Sequence, residues 1–151
     1  VKNKELTIIP FATDELVVAM NPEHPLAGKD NLSIDELKGV DFIAFEKDIP
    51  TRKATDEILR NADIEVSIAM EFDNVETVKR ALEINAGVAI IPKNTASNEV
   101  QRNQLVVSRL DNGKHIRPLS LIHKKTRMLT PALRSFIEKM QHSPLTEKIS
   151  A

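Results

Sequence analysis

The sequence predicts an α/β fold with a mainly parallel sheet flanked by helices, and three features predict it. Residues 40–91 read as strand, helix, strand, helix, strand, an order that parallel strands joined by helical crossovers require. The last of these strands, Val88-Ala89-Ile90-Ile91, is wholly apolar, as a strand buried on both faces is. Each helix in the series opens on a capping pattern or on a proline in its first turn, where a missing N–H costs nothing.

Residues 6–9 and 16–20 read as two short strands bounded by Pro10 and Pro22, with Phe11-Ala12-Thr13-Asp14-Glu15 between them. Residues 21–28 hold two prolines and a glycine and so read as an extended connector between two structural units. Ser33-Ile34-Asp35-Glu36-Leu37 is a capping-box opening of a short helix that Lys38-Gly39 ends. A strand follows over residues 40–45. A helix runs from Pro50-Thr51 to about Ala62, anchored by Ile58 and Leu59 with Asp56 and Glu57 exposed.

Apolar residues at 66, 68, 70 and 72 keep a period of two, the mark of a strand with one strongly buried face. Asp73-Asn74-Val75-Glu76 then opens a helix whose Val75, Val78, Leu82 and Ala86 fall three and four apart, and Gly87 is expected to close it. Pro92 stops the next strand. A polar segment, residues 93–103, carries a short helix, and Leu105-Val106-Val107 leads to a turn at Asp111-Asn112-Gly113. Residues 116–124 read as a strand. Thr130-Pro131 caps a final helix with an apolar stripe of Leu133, Phe136, Ile137 and Met140, and the tail after Ser143-Pro144 reads as frayed.

The chain has 151 residues, of which 41% are hydrophobic and 28% charged, the composition of an ordinary globular domain able to bury a core. The absence of cysteine excludes disulfides, a thiolate nucleophile and Cys-ligated metal, and suits a reducing cytosol. No apolar run reaches the roughly 18 residues of a membrane span, and the start lacks the basic-then-apolar pattern of a signal peptide. An apolar run so close to Val1 reads as the interior of a larger polypeptide. Residues 1–100 carry 11 Lys/Arg against 19 Asp/Glu, whereas residues 101–151 carry 10 against 3. With no Trp, no Tyr and five Phe, the stacking platforms for single-stranded bases are scarce, which argues against direct nucleic-acid binding by this chain.

Catalytic and metal signatures are missing from the sequence. His24, His115, His123 and His142 lie far apart, without metal-ligand spacing, and the four glycines form no phosphate-cradling loop. Asp35/Glu36 and Asp56/Glu57 are adjacent on helices and so diverge, as solvated faces rather than acid–base pairs.

Binding chemistry remains. Two helices begin at the carboxyl ends of parallel strands, near Thr51-Arg52 and at Asp73-Asn74, where open α/β sheets form their crevice and helix amides favour an anion. Thr51, Arg52, Asn74 and Thr77 offer hydrogen bonds there, and Phe45 and Phe72 offer walls. Plain helix capping accounts for Thr51 and Asn74 equally well, and Asp73 opposes an anion at the same spot.

A family resemblance rests on six segments in order. They are His24-Pro25-Leu26-Ala27; Ser33-Ile34-Asp35-Glu36-Leu37 with Phe42-Ile43; Glu71-Phe72-Asp73-Asn74-Val75-Glu76-Thr77-Val78; Ala86-Gly87-Val88-Ala89-Ile90-Ile91-Pro92; and the stretch from Leu129-Thr130-Pro131-Ala132-Leu133 through Arg134-Ser135-Phe136-Ile137-Glu138. Across residues 6–140 the chain resembles the effector-binding domain of LysR-type transcriptional regulators, whose fold is similar to type 2 periplasmic binding proteins.

The resemblance implies two α/β subdomains. Residues 22–120 correspond to a complete second subdomain, and residues 1–21 and 121–151 to part of the first, with crossover strand and closing helix. The winged helix-turn-helix, the linker helix and the opening strand–helix–strand of the first subdomain have no counterpart in this sequence. It further implies a small effector, an anionic metabolite, at Phe45, Thr51, Arg52, Phe72, Asn74, Val75 and Thr77. Pairing into a homodimer or tetramer falls on the helix bearing Val75, Val78, Lys79 and Leu82, whose stripe also reads as simple packing on its own sheet. DNA is bound only through the winged helix-turn-helix. No enzyme activity, cofactor, metal or membrane is implied, and the location is cytoplasmic. Two other readings share the fold: a solute-binding protein of a transporter, against which the missing export signal and lipobox cysteine argue, and an α/β enzyme with its catalytic residues elsewhere.

Overall fold

The computed structural model describes residues 4–111 and 115–142. The chain divides into two compact units, Glu15–His115 and the pair of segments Val1–Asp14 and Ile116–Ala151.

Within Glu15–His115 the elements follow the predicted order: β2 (Asn31–Leu32), a 3₁₀ turn (Ile34–Leu37), β3 (Asp41–Phe45), α1 (Pro50–Asn61), β4 (Ser67–Phe72), α2 (Val75–Glu83), β5 (Val88–Pro92), a second 3₁₀ turn (Lys93–Ala96), α3 (Ser97–Gln101) and β6 (Val106–Leu110). The sheet order is β2-β6-β1-β5-β3-β4, where β1 is Leu6–Met20. β3 pairs in parallel with β4 and β5, and β2 with β6, while β1 runs antiparallel to β5 and β6. The sheet is therefore mixed, with three parallel pairings and one central antiparallel strand.

Its two faces carry two cores. Val18, Met20, Phe42, Ala44, Val88 and Ile90 meet Leu37, Leu59 and Ile64 on the α1 side. Ala19, Ile43, Phe45, Ala89 and Ile91 meet Val78, Ala81, Leu82 and Leu105 on the α2 side. Every residue of β5 is buried, as its unbroken apolar run predicts.

Five local expectations change. The two strands expected at 6–9 and 16–20 are one strand, β1, which runs through Pro10. Over residues 6–14 its one strand partner among the described residues is β7, and a strand with an unpaired flank tolerates proline. Residues 21–28 are not extended but a series of turns, in which the His24 amide donates to the Asn21 carbonyl and the Ala27 amide to that of His24, at 3.0 and 2.8 Å. The His24 ring Nδ1 accepts the Leu26 amide at 3.2 Å, and burial holds its pKa below the ordinary value.

The third change concerns Gly87, which does not cap α2. Asn85 takes the left-handed position (φ 58), and the amides of Asn85 and Ala86 donate back to the carbonyls of Leu82 and Ala81, a complete Schellman motif. Gly87 (φ 149) serves close packing instead: a Cβ there would lie 2.2 Å from the Asp41 carbonyl oxygen. Fourth, Asp56 is not free on the surface but accepts from Arg52 Nε at 2.8 Å. Asp35 and Glu36 do diverge, to Lys38 and Lys29 respectively.

Fifth, β4 has no strongly buried face. It is the sheet edge, with Ile68 43% and Met70 40% exposed. Its pairing with β3 shifts between Phe42↔Ile68 and Ile43↔Met70, leaving Ala69 as an extra residue. Such a bulge reverses the alternation of side chains, so the period-two apolar set is split between two faces.

In the other unit, residues 6–14 of β1 pair with β7 (His115–Lys124), and α4 (Pro131–Gln141) follows. The Lys125 amide donates to the Glu5 carbonyl at 2.8 Å, and Arg117 Nη2 to Asp14 at 2.9 Å. Thr130 caps α4 by accepting the Leu133 amide, as expected. None of the α4 residues is buried. The turn residues beyond Asp111, and the tail from Ser143, lie outside the described residues.

Candidate functional site at the carboxyl ends of β3 and β4

Phe45 and Phe72 are register partners at the ends of β3 and β4. The Glu46 amide donates to the Phe72 carbonyl at 2.9 Å, which holds the loop after β3 beside the end of β4. From this end both α1 and α2 depart. Phe45, Phe72 and Val75 belong to the α2-side core, so they form the floor beneath this end of the sheet.

The two helix starts differ. At α2, Asn74 is the cap: its side-chain oxygen accepts the Thr77 amide at 2.9 Å and the Thr77 hydroxyl at 3.0 Å, and its amide nitrogen donates to Asp73 at 2.6 Å. Asn74 and Thr77 are thereby brought together, in the capping arrangement. At α1 the cap position is Ile49, Pro50 follows, and no side chain caps the helix. The positive end of a helix thus meets a capping oxygen at α2 and none from a side chain at α1.

Thr51 and Arg52 are buried in the first turn of α1. Arg52 Nη1 donates to the Phe45 carbonyl at 2.7 Å and to Glu71, and Nε donates to Asp56 at 2.8 Å. Burial opposes its charge, but Glu71 and Asp56 outweigh that and hold its pKa above the ordinary value. Its charge is spent largely within the chain.

Of the four residues expected to pair copies, Val78 and Leu82 are wholly buried against their own sheet. Lys79 is buried too. Its amine donates to the Thr95 carbonyl at 3.1 Å and to Glu99 at 2.8 Å, and it meets Glu76 at 2.9 Å. The Lys79 hydrogen bond holds the Glu99 carboxyl below its usual range, and the two glutamates, working against burial, raise Lys79. Exposed apolar side chains include Ile68 and Met70 on β4 and Ile84 just after α2.

Sequence reasoning missed the ion-pair nodes at Arg52 and Lys79, since pairs nineteen and twenty residues apart carry no spacing signal. It also gave no hint of two cavities. One, about 450 Å³, lies at the far end of α1 between Arg60, Asp63 and Val66. The other, about 460 Å³, lies in the smaller unit against Leu121, Leu133 and Phe136, with Lys124 and Arg127 beside it. Among the described residues no three His, Cys, Asp or Glu are grouped to hold a metal, and no helix is long and apolar enough to cross a membrane.

The family model for the LysR substrate binding domain matches residues 1–143. The chain belongs to the LysR substrate-binding domain family. Among curated relatives of this LysR domain, a probable RuBisCO transcriptional regulator of Synechocystis is 28% identical over 138 residues, which is 89% of this chain and 40% of that protein. The HTH-type transcriptional regulator CysL of Bacillus subtilis is 27% identical over 79% of this chain and 40% of its own length. The chain thus spans well under half the length of these relatives. Among solved structures, the Synechocystis CcmR regulatory domain in complex with 2-PG superposes with a TM-score of 0.85 at 25% identity, covering 99% of this chain and 72% of that one. The effector-binding domain of QuiR in complex with shikimate gives a TM-score of 0.82 at 21% identity, over 98% and 69%. The LysR effector-domain fold, with its mixed sheet and flanking helices, agrees with the α/β class read from the sequence.

Proposed function

We propose that this LysR domain is the effector-sensing and oligomerisation part of a cytoplasmic transcription regulator, without catalytic activity of its own. The observation that carries the sensing role is the start of α1, which lacks a side-chain cap beside the joined ends of β3 and β4. An anionic metabolite fits there, held by the first-turn amides and by Thr51, with Phe45, Phe72 and Val75 beneath it and Asn74 and Thr77 at the neighbouring helix start. Arg52 sets the backbone at this end from within, by donating to the Phe45 carbonyl. The relatives support this reading: CcmR and QuiR are effector-bound regulatory domains, and the curated relatives named are transcription regulators.

Residues 22–120 act as the second regulatory subdomain, and residues 1–21 and 121–151 as part of the first. Copies pair through the rim of α2 and the edge strand β4, where Val75, Ile68, Met70 and Ile84 present apolar surface. DNA is contacted by a winged helix-turn-helix elsewhere in the full-length regulator. The effector acts by preferring one arrangement of the paired domains, since equal affinity for both would transmit nothing.

A thermal-shift screen of the chain against small organic acids and phosphorylated acids, 2-PG and shikimate included, tests the sensing role. A ligand present at about 100 times its Kd adds about 2.7 kcal/mol to stability and raises Tm visibly. A cooperative melt that no compound shifts overturns the assignment of the binding site to this chain.

A further inference from the structure

The bulge at Ala69 decides which way each side chain of β4 points. Before it, Val66 packs with the α1-side core and Ile68 stands opposite Phe42, itself on that side. After it, Met70 and Phe72 stand opposite Ile43 and Phe45 on the α2 side, and Glu71 stands opposite Ala44 on the α1 side. Were Ala69 paired opposite Ile43 instead of bulged out, the segment from Met70 onward would reverse. Glu71 would then turn away from Arg52, to the side of the apolar cluster of Phe45, Val78 and Leu82, where a carboxylate loses that guanidinium and part of its hydration.

In the observed register Glu71 meets Arg52. That guanidinium is itself nine-tenths buried, and it also holds the Phe45 carbonyl at the end of the neighbouring strand and Asp56 on its own helix. A planar group with a fixed fork of donors suits this three-way role, and a single ammonium does not. The three partners belong to β3, β4 and α1, so the position of Glu71 is set relative to both the sheet and the helix.

We propose that Arg52 is a positioning residue: by engaging Glu71 it selects the bulged register of β4, and so fixes which side chains this edge offers to a second copy of the chain. The register role stands on the geometry alone, and its link to a second copy rests on the pairing reading above.

Hydrogen exchange on the whole chain, with cross-strand amide contacts measured by NMR, tests it. In Arg52→Lys and in Glu71→Gln, exchange at residues 68–72 rises about tenfold or more while α1 and β5 stay protected. In both variants the contact opposite Ile43 moves partly from Met70 to Ala69. Asp56→Asn removes an Arg52 partner on the same helix and leaves the β4 register unchanged. Glu71 lies at an exposed edge, so Glu71→Gln keeps the test available if an Arg52 variant does not fold. Unchanged contacts and exchange in both variants overturn the proposal, as does a uniform rise across the sheet, which marks Arg52 as merely structural. Sedimentation of the same samples separates the two readings: weaker pairing in these variants supports the link to a second copy. Displaced β4 contacts with no self-association even in the parent chain support the register role and overturn that link.

Discussion

The two units are built from the same kinds of element and bury them very differently. In Glu15–His115, helices lie on both faces of a six-strand order, and side chains such as Leu37, Phe42, Leu82 and Ile90 are almost wholly covered. In the smaller unit a strand pair and one helix leave Phe136 52% exposed and α4 without a buried residue. Yet the stripe of Leu133, Phe136, Ile137 and Met140 is as regular as that of Val75, Val78 and Leu82. Period and capping therefore specify that a helix forms and which side is apolar, while burial depends on how many layers meet that side.

Several substitutions sharpen this contrast. The largest effect belongs to Gly87→Ala, which forces a Cβ into the Asp41 carbonyl at a backbone angle that suits glycine. More than about 4 kcal/mol is lost, read as a failure to fold or a collapse of the denaturation midpoint. Next comes Leu82→Ala, expected to cost about 2–5 kcal/mol by transfer and cavity terms. Phe136→Ala, a larger truncation by volume, costs less than about 1 kcal/mol because half of the ring is already in water. Urea denaturation of both variants checks the pair, and equal losses would erase the distinction drawn here.

Smaller effects probe the helix starts and the ion pairs. Asn74→Ala removes the α2 cap and costs about 1 kcal/mol, visible as a shift in the same transition. The Lys79–Glu99 pair predicts a pH response with a definite sign. Glu99 has its pKa lowered below 4.5, so its contribution is complete above that value and disappears as pH falls through the lowered pKa. Lys79 has its pKa raised above 10.5, so its contribution is complete below that value and is lost as pH rises through the raised one. Stability from this pair is thus flat through neutrality. Denaturation midpoints followed into acid should fall less steeply in Glu99→Gln than in the parent chain.

Much of the larger unit was legible from residue pattern. The wholly apolar Val88-Ala89-Ile90-Ile91 and the Pro50 start of α1 specify their elements locally, as the Thr130-Pro131 cap does in the smaller unit. What escaped was non-local. Whether Pro10 ends a strand depends on which flank is paired, and whether Ile68 is buried depends on whether β4 has a neighbour on its outer side. Gly87 was read as a cap because a glycine after a helix usually is one, whereas Asn85 takes that conformation and Gly87 answers to a backbone forty-six positions earlier in the chain. At the candidate site the helix starts were placed by pattern, but the partners of Arg52 and Lys79 were not, because long-range ion pairs leave no periodic trace.

The bulge in β4 makes this edge a matter of parity. Along a strand the direction of a side chain is an odd-or-even property, and Ala69 is one count inserted into it. A substitution at Ala69 alters a single side chain, and its deletion removes the bulge with Met70, Glu71 and Phe72 left on their present faces, whereas pairing Ala69 in turn opposite Ile43 exchanges the faces of all three together. Over these residues the character of the outer surface is therefore governed by whether Ala69 is paired or bulged out as much as by composition. A slip of one residue in this pairing would rewrite the edge at once, with every amino acid left as it was.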